Sequence, residues 1–451
     1  MDVFALVSTL WSVVATIVPF IVVLGVVVFV HEYGHYIVAR WCGIHSQVFS
    51  IGFGKEIFGW TDKRGTRWRV APLPLGGYVK FLGDGDAASA RADAKQLETL
   101  DESDRARSFP GAALWKRALT VAAGPVFNFI LSIVIYAGLA TAIGVGSDEP
   151  VVGTLSPSAE DRLPFREGDR ILEVEGASIA VFADVMRAFE AASDAQPGRA
   201  EYAVVIERDG ARQTVTAGPL VAPEVGGVAS GGPADQAGLV PGDILQSANG
   251  VDLASFRDLQ RIVEASEGAA VDLAVRTPGE EARQVTLEPM VSAARSRDGG
   301  TEVRPLIGVT AMPMIQPRAE TPGPLRAVGV GVERTFGVID SSLTYIGAII
   351  GGRADSSSLG GPIRIASLSG DAAGAGIVAF LGMIALISAS IGMLNLFPVP
   401  VLDGGHLLFY ALEAIRGKPL GEKLQEYATG LGLALVLLLM VFVTWNDITS
   451  F

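Results

Sequence analysis

Two histidines and a glutamate stand close together in the pentad His31-Glu32-Tyr33-Gly34-His35. On a helix, His31 and His35 are four positions apart and therefore lie on one face, one turn from each other. Two neutral imidazoles in this arrangement can bind one zinc ion. The carboxylate of Glu32 beside them can accept a proton from an attacking water molecule. The pentad therefore predicts metal-assisted hydrolysis.

A second polar cluster, Asn395-Leu396-Phe397-Pro398-Val399-Pro400-Val401-Leu402-Asp403-Gly404, follows an apolar run near the other end of the chain. An ionised aspartate at membrane depth is costly unless it has a function. Catalytic zinc sites usually have three protein ligands and a water, so we expect Asp403 to be the third ligand. His406 follows three positions later, and a direct contact with the metal is left open, although the site is complete without it.

The composition indicates an integral membrane protein, because 49% of the 451 residues are hydrophobic and only 18% are charged. Four stretches are each long and apolar enough to cross a bilayer, for which about 20 residues are needed. No Lys or Arg precedes the first of them, which favours a retained span over a cleaved signal peptide. The four predicted spans are residues 10–40, 118–145, 375–397 and 427–443.

The charges predict the topology. Thirteen Lys or Arg residues lie from Arg40 to Arg117 and three from Arg416 to Lys423, whereas residues 147–376 contain nineteen Arg, no Lys and thirty-two Asp or Glu. By the positive-inside rule, the two basic loops face the cytoplasm, and the acidic region and both termini are exported. The acidic balance argues against nucleic acid as a partner, and membrane lipid is the expected surrounding.

Residues 44–84 are rich in β-branched and aromatic residues with many glycines, a composition typical of strands and turns. We expect strands at 47–54, 56–60, 67–71 and 75–81, with a turn at 62–65. They form either a plain cytoplasmic hairpin or a small sheet near the metal, whose edge pairs with an extended peptide. Pairing with residues 48–54 would replace the hydrogen bonds that a substrate helix loses when it unwinds. The polar segment 86–108 is expected to be a mobile loop or a short helix.

An internal repeat occupies the acidic region, because residues 168–176 match residues 242–250 at an offset of 74 positions. Each copy continues into a helical pattern and then a strand, which predicts two similar α+β domains. The segment Gly232-Pro233-Ala234-Asp235-Gln236-Ala237-Gly238-Leu239-Val240-Pro241-Gly242-Asp243 resembles the PDZ domain, and the first copy, at 158–163, resembles it less. PDZ-like domains commonly bind chain ends by strand addition; whether these two bind a peptide or only cover the protein stays open.

Residues 322–352 contain Glu333, Arg334 and Asp340 within a moderately apolar stretch. This pattern predicts an amphipathic helix at the exported membrane surface. A fifth span is rejected because it would place the last basic loop outside.

The pentad on one span and the Asn395-x-x-Pro398-x-x-x-x-Asp403-Gly404 motif on another resemble the site-2 protease family of intramembrane zinc metalloproteases. With two PDZ-like domains between them, the chain is similar to the RseP (regulator of sigma-E protease) branch. The implied fold is a polytopic α-helical membrane protein with four transmembrane helices, a membrane-associated β-sheet and two exported PDZ-like α+β domains.

The resemblance also implies residue roles: Zn²⁺ bound by His31, His35 and Asp403, with Glu32 as the catalytic acid and base. The implied substrate is a single-span membrane protein, either a trimmed anti-sigma factor or a remnant signal peptide, cut in the bacterial inner membrane in regulated intramembrane proteolysis. The PDZ-like domains would then act as a periplasmic size filter and could also bind a peptide ligand. The implied substrate-binding residues are Asn395, Gly52, Phe53, Gly54 and Asn128; an inter-helix hydrogen bond is the alternative role for Asn128.

These expectations divide the chain as follows: 1–43, the first span with the pentad; 44–84, the β region; 85–117, a cytoplasmic loop; 118–146, the second span; 147–222 and 223–290, the PDZ-like domains; 291–374, a strand, the amphipathic helix and a loop; 375–406, the third span with its motif; 407–426, a cytoplasmic loop; 427–451, the fourth span.

Two other classes of protein are weighed against this one. A membrane-anchored zinc protease with its active site in an aqueous domain would carry its pentad after a span, whereas here the pentad is continuous with the span. A metal-free receptor built around the PDZ-like pair would leave Glu32 and Asp403 at membrane depth without a role.

Overall fold

The computed structural model describes residues 3–85, 99–156, 159, 162–229, 232–295, 301–351 and 360–450. Residues 86–98 of the predicted loop, and residues 158, 160 and 161 of the 158–163 segment, lie outside the described residues. The helices are α1 Val3–Trp41, α2 Glu102–Ala106, α3 Leu114–Ile143, α4 Phe182–Ala195, α5 Pro233–Gln236, α6 Phe256–Ala265, α7 Pro324–Ile350, α8 Pro362–Gly374, α9 Ile377–Asn395, α10 Asp403–Arg416 and α11 Glu422–Ser450.

The strands are short and numerous. They are β1 Ser46–Phe53, β2 Phe58–Thr61, β3 Arg67–Val70, β4 Leu73–Phe81, β5 Val145–Gly146, β6 Val152–Leu155, β7 Arg170–Val174, β8 Ala177–Ser178, β9 Tyr202–Arg208, β10 Ala211–Ala217, β11 Val221–Val228, β12 Ile244–Ala248, β13 Val251–Asp252, β14 Val271–Arg276, β15 Arg283–Leu287, β16 Met290–Arg295, β17 Thr301–Leu306, β18 Val309–Pro313, β19 Ile315–Pro317 and β20 Ala319–Glu320.

Four helices in the described part of the chain are long and apolar enough to cross a membrane: α1 from Val13, α3, α9 and α11 from Lys423 to Thr449. They coincide with the four predicted spans. The chain divides into two compact units. The first contains all four of these helices together with β1–β4, and the second contains the repeat domains.

The sheet of the first unit has the strand order β2-β3-β1-β4, with β1 parallel to β3 and antiparallel to β4. Phe49 is fully buried, stacks on Trp68 at 4.3 Å between ring centroids, and belongs to the core that joins β1 to α1. Both edges of β1 are therefore paired over 48–51. The edge strands of this sheet are β2 and β4, which corrects the expectation that a substrate pairs with residues 48–54.

The predicted division 375–406, which joins the third span to its motif, is not one helix. The helix α9 ends at Asn395, and α10 begins at Asp403 after a tight connection. Pro398 and Pro400 cause the break, because proline lacks an N–H and disfavours helical backbone in the residue before it. At Gly404 a Cβ would lie 2.2 Å from the Leu396 carbonyl oxygen, so the return of the chain requires glycine. Most of the predicted loop at 407–426 is helical, because α10 continues to Arg416 and α11 begins at Glu422.

The helix α7 forms within the predicted 322–352 segment. The Thr335 Oγ1 lies 3.0 Å from the Ser132 Oγ of α3, and both side chains are fully buried. At Gly331 a Cβ would lie 2.4 Å from the Ile133 carbonyl oxygen. This part of α7 therefore packs closely against the body of the second span, which a helix confined to the membrane surface would not do.

The second unit repeats its local structure at the offset of 74 residues. Glu175 and Asn249 occupy equivalent turn positions, and both have a φ of 49°. Asp169 and Asp243 are buried at equivalent positions, where they accept backbone hydrogen bonds from Arg166 and from Val240 at 2.7 and 3.0 Å. The sheets have the orders β10-β9-β7-β8 and β15-β14-β12-β11-β18.

The predicted domain boundary at residue 290 is too early. The strand β18 pairs with β11 and completes the second sheet, while β19 pairs with β6 of the first domain. Ile307 lies in the core of the second domain and Ile315 in that of the first. The chain therefore returns through both repeat domains before α7 begins.

Candidate active site

The pentad lies on α1, where His31 and His35 project from one face with their Nε2 atoms 3.2 Å apart. Close packing of α3 against this face depends on small residues. At Gly124 of α3 a Cβ would lie 2.3 Å from the His35 Nε2, and at Gly34 a Cβ would lie 2.6 Å from the Ala123 carbonyl oxygen. The two glycines therefore leave room for the imidazole rings between the helices.

The first residue of α10, Asp403, meets both imidazoles. Its Oδ2 lies 3.1 Å from the His31 Nε2 and 3.5 Å from the His35 Nε2. The corners of a tetrahedron with zinc–ligand bonds of ~2.0–2.1 Å lie about 3.3–3.4 Å apart. The three donor atoms thus have the mutual spacing that a tetrahedral zinc ion requires, and a nitrogen–nitrogen–oxygen set suits that metal.

Polar groups behind the imidazoles fix their orientation. The His35 Nδ1–H donates to the Thr120 carbonyl oxygen at 2.8 Å, which leaves the Nε2 lone pair directed at Asp403. The His31 Nδ1 lies 3.2 Å from the Asn128 Nδ2, while the buried Asn128 Oδ1 has no partner among the described groups. Exchanging the two ends of the amide, which have nearly the same shape, lets Oδ1 accept from the His31 Nδ1–H and satisfies both groups.

A cavity of about 210 Å³ opens beside these donor atoms. Glu32, Asn395 and His406 line it, as do Gly77 to Val79 of the edge strand β4. At Gly77 a Cβ would lie 2.9 Å from the Glu32 Cγ, so the strand passes directly over the glutamate. His406 does not belong to the group of donor atoms that lie within 4.8 Å of one another in the described part of the chain.

The helix α10 adds Tyr410 to the cavity lining and is tied to α3 by an ion pair. Burial raises the pKa of Tyr410, against the opposing effect of the Arg117 guanidinium, so this lining residue is a neutral hydroxyl. The Arg117 Nη2 donates to the Glu413 Oε1 at 2.6 Å and joins the start of α3 to α10. This pair holds the helix that carries Asp403.

The structure separates the predicted substrate residues into three groups. Asn395 lines the cavity, whereas Asn128 is fully buried behind His31 and does not line it. The Gly52-Phe53-Gly54 segment lies at the far end of β1, where Phe53 stacks on Tyr78 at 6.0 Å and the Gly54 carbonyl accepts from the Arg69 Nη2 at 2.6 Å. Neither this segment nor Asn128 forms part of the cavity wall.

Sequence reasoning missed Thr120, Gly124 and Gly77 as parts of the site. The Gly124-Pro125 pair indicates a kink or a close helix contact, and the contact is with the His35 ring. Thr120 acts through its backbone carbonyl, so its side chain gives no signal. Gly77 could have been found only through the pairing of β4.

Comparison with known proteins adds independent evidence. The model of peptidase family M50 matches residues 19–439. A zinc metalloprotease of Agrobacterium fabrum is 41% identical over 435 residues, which cover 96% of each chain. The regulator of sigma-E protease RseP of Salmonella typhimurium is 32% identical over 465 residues, which cover 98% of this chain and 99% of the relative.

Helices that can span a bilayer and a His-His-Asp donor set define a membrane metalloprotease. The chain belongs to peptidase family M50, the site-2 protease family, and is a zinc-dependent protease. The family and the cofactor expected from the sequence are both confirmed.

Proposed function

We propose that the chain hydrolyses peptide bonds within the membrane, at a zinc ion held by His31, His35 and Asp403. The observation that carries the proposal is the convergence of the three donor atoms on a helix that is itself apolar enough to span a bilayer. Zinc bound there supplies Lewis-acid activation of water and of the scissile carbonyl.

The side chains of this site perform the remaining steps. Glu32 accepts the proton of the attacking water and returns it to the leaving amine, as a general base and then a general acid. Asn395 lines the same cavity and donates a hydrogen bond to the substrate backbone or to the oxyanion. Asn128 keeps the His31 ring in place and has no contact with substrate.

The substrate must unwind before it is cut, because a helix satisfies its own backbone groups and shields its peptide bonds. A segment paired with a sheet edge recovers those hydrogen bonds. The edge strand β4 is suited to this because Gly77, Tyr78 and Val79 line the cavity next to Glu32. We assign the pairing to β4 in place of the 48–54 segment.

The proposed substrates are single-span membrane proteins, namely a trimmed anti-sigma factor or remnant signal peptides. The RseP relative is named a regulator of sigma-E protease, and this chain matches it almost end to end. The two repeat domains, which resemble PDZ domains in sequence, would exclude substrates that have large exported parts. The same resemblance supports the proposal that these domains bind a peptide ligand.

Two contacts within the first unit support the proposed topology, in which the basic loops are cytoplasmic and the repeat domains and both termini are periplasmic. Asp447 near the end of α11 accepts hydrogen bonds from the backbone of Gly361 and Ile363, so the end of α11 and the start of α8 lie on one side. Arg117, at the start of α3, forms an ion pair with Glu413 of α10. Each of these residues borders one of the two basic loops, so the two loops lie on the same side.

The proposal is tested with purified protein in vesicles and a model single-span substrate that has a short exported tail. We expect the cut to fall within the apolar segment of the substrate, at a position mapped by mass spectrometry of the products. Helix-breaking residues placed at the cut should speed cleavage. Products cut only outside the apolar segment would refute intramembrane cleavage while leaving the protease activity intact.

A further inference from the structure

A second cleft, of about 360 Å³, lies at the C-terminal end of α1. Its volume falls within the ~300–1,000 Å³ usual for small-molecule sites. Arg40, Arg64 and Arg107 line it together with His45 and Ser46, and none of its lining residues is acidic. The cleft uses no residue of the proteolytic site.

The three arginines keep most of their charge available. The Arg40 Nη1 lies 3.5 Å from the Tyr36 hydroxyl, and the Arg107 Nη1 lies 3.8 Å from the Asp104 Oδ1. Arg64 has no ion pair with the described residues. The cleft therefore keeps a positive charge.

A second acidic side chain near the cleft, that of Asp62, is already engaged. The Asp62 Oδ1 accepts hydrogen bonds from the backbone of Arg64 and Thr66 at 2.8 and 3.0 Å, and its Oδ2 accepts from the Trp68 Nε1 at 3.0 Å. Burial, and then the charge of Arg107, lower the pKa of His45, so the arginines carry the charge of the cleft.

A buried serine also lines the cleft. Ser46 is only 4% exposed, and its Oγ has no hydrogen-bond partner among the described groups. Buried polar groups are nearly always paired in folded proteins, so an unpartnered hydroxyl in the wall of a cleft points to a ligand. The wall is fixed, because the Thr66 hydroxyl donates to the Ser46 carbonyl at 2.8 Å and the His45 N–H donates to the Arg107 carbonyl at 3.0 Å.

We propose that this cleft binds a phosphate group, carried by an anionic phospholipid or by a soluble phosphate ester. One guanidinium group can donate two parallel hydrogen bonds to two oxygens of a phosphate, and the serine hydroxyl adds a neutral donor. Trp41, which is 71% exposed, marks the end of the spanning helix, and exposed tryptophans concentrate at the level of the lipid headgroups. Basic pockets beside spanning helices are known to bind lipid headgroups.

Native mass spectrometry of the full-length protein in detergent tests the proposal, with phosphatidylglycerol and phosphatidylcholine as probes. The Arg40→Gln/Arg107→Gln variant is compared with Lys55→Gln/Lys63→Gln, which removes the same charge from exposed residues that do not line the cleft. We expect phosphatidylglycerol retention to fall roughly fivefold for each arginine removed, the equivalent of ~1 kcal/mol per basic group. The lysine control should retain the lipid.

Ser46→Ala removes the hydroxyl without changing the charge and should also weaken retention, which separates recognition from bulk electrostatics. Thermal unfolding with added inorganic phosphate distinguishes the sources. If phosphate stabilises the wild type and not the arginine variant, the ligand is a soluble phosphate; if only phosphatidylglycerol does so, it is a lipid. Equal lipid loss in both double variants, or no effect of either probe on the wild type, would overturn the proposal.

Discussion

Gly124 lies against the imidazole of His35, where a methyl group would come within 2.3 Å of the Nε2. At the scale of single residues, the metal site therefore depends on an absent side chain as well as on the donors. The backbone carbonyl of Thr120 orients the His35 ring, and the side-chain amide of Asn128 orients the His31 ring. Gly124 and Asn128 can each be substituted without removing a ligand.

Gly124→Ala should displace the His35 ring and weaken zinc binding roughly 10- to 100-fold, the usual effect of disturbing the groups that orient a metal ligand. Gly138→Ala is the matched control, because it lies on the same helix with no atom within 4 Å of the added Cβ. Zinc affinity of the purified proteins, measured by chelator competition, checks this. Equal affinities in the two variants would contradict the close packing of α3 on His35.

Asn128→Asp and Asn128→Leu separate orientation of His31 from substrate binding. An aspartate can still accept from the His31 Nδ1–H, so zinc affinity should persist, whereas leucine should lower it roughly 10- to 100-fold. Chelator competition measures both variants, and the Michaelis constant on a model substrate shows any direct effect on binding. If the leucine variant has normal zinc affinity and a raised Michaelis constant, Asn128 binds the substrate and does not orient His31.

The contrast between Asn128 and Asp403 shows how far single residues could be predicted. The pentad has a fixed local spacing, and Asp403 is the candidate for the ligand that a two-histidine site lacks. The proposed roles of His31, Glu32, His35 and Asp403 can therefore be predicted from the sequence. An asparagine in a span gives the same signal whether it faces a substrate or a histidine. Only the packing of α3 on α1 decides between them.

At the scale of elements, the carboxylate of Asp447 joins two helices. It accepts backbone hydrogen bonds from Gly361, Ile363 and Arg364 at 2.8 to 3.1 Å and is only 2% exposed. It thereby satisfies free N–H groups at the start of α8, which no side chain of α8 itself does. The end of α11 thus caps α8.

Asp447→Ala should lower the free energy of unfolding by about 1 kcal/mol, the usual cost of losing a helix cap. Asp371→Ala, at an exposed position of α8, removes the same charge without removing a cap and serves as the control. Thermal unfolding in detergent compares the two. A larger loss in the Asp371 variant would show that Asp447 does not anchor α8.

The elements were predictable where the pattern is local and not where it depends on pairing. The β-branched and aromatic residues at 47–54 and 75–81 indicate strands, but which strand lies at the edge depends on the partners of each. The interruption between α9 and α10 is implied by Pro398 and Pro400, yet apolar residues on both sides favour one long span. Asp403 therefore reaches the histidines from a helix start, not from within a span.

At the scale of the whole molecule, the acidic repeat domains form a continuous insertion between the second span and α7. The strands that open and close this insertion are adjacent, because Gly146 of β5 pairs with Ala319 of β20. A short glycine linker between these two residues can therefore replace the insertion. The repeat was predictable from its offset, whereas the return strands β18 and β19 carry no repeat signal.

Removing residues 147–318 with such a linker should allow cleavage of substrates with large exported domains, which the full chain should reject. Gel analysis of cleavage for short-tailed and long-tailed substrates measures the change. As a control, an unrelated domain of similar size is inserted at the same point. If the repeat domains act by bulk alone, rejection of long-tailed substrates should return; if they recognise substrates specifically, it should not. Continued rejection of long-tailed substrates by the shortened chain would remove the size-filter role.

The most direct test of the account combines zinc content with cleavage for Glu32→Gln and Asp403→Ala. Glu32→Gln should keep its zinc and lose about 10²–10⁴-fold in cleavage rate, because only proton transfer is removed. Asp403→Ala should lose both zinc and activity, because one ligand of three is gone. Undiminished cleavage by the Glu32 variant, or full zinc content in the Asp403 variant, would contradict the proposed catalytic centre.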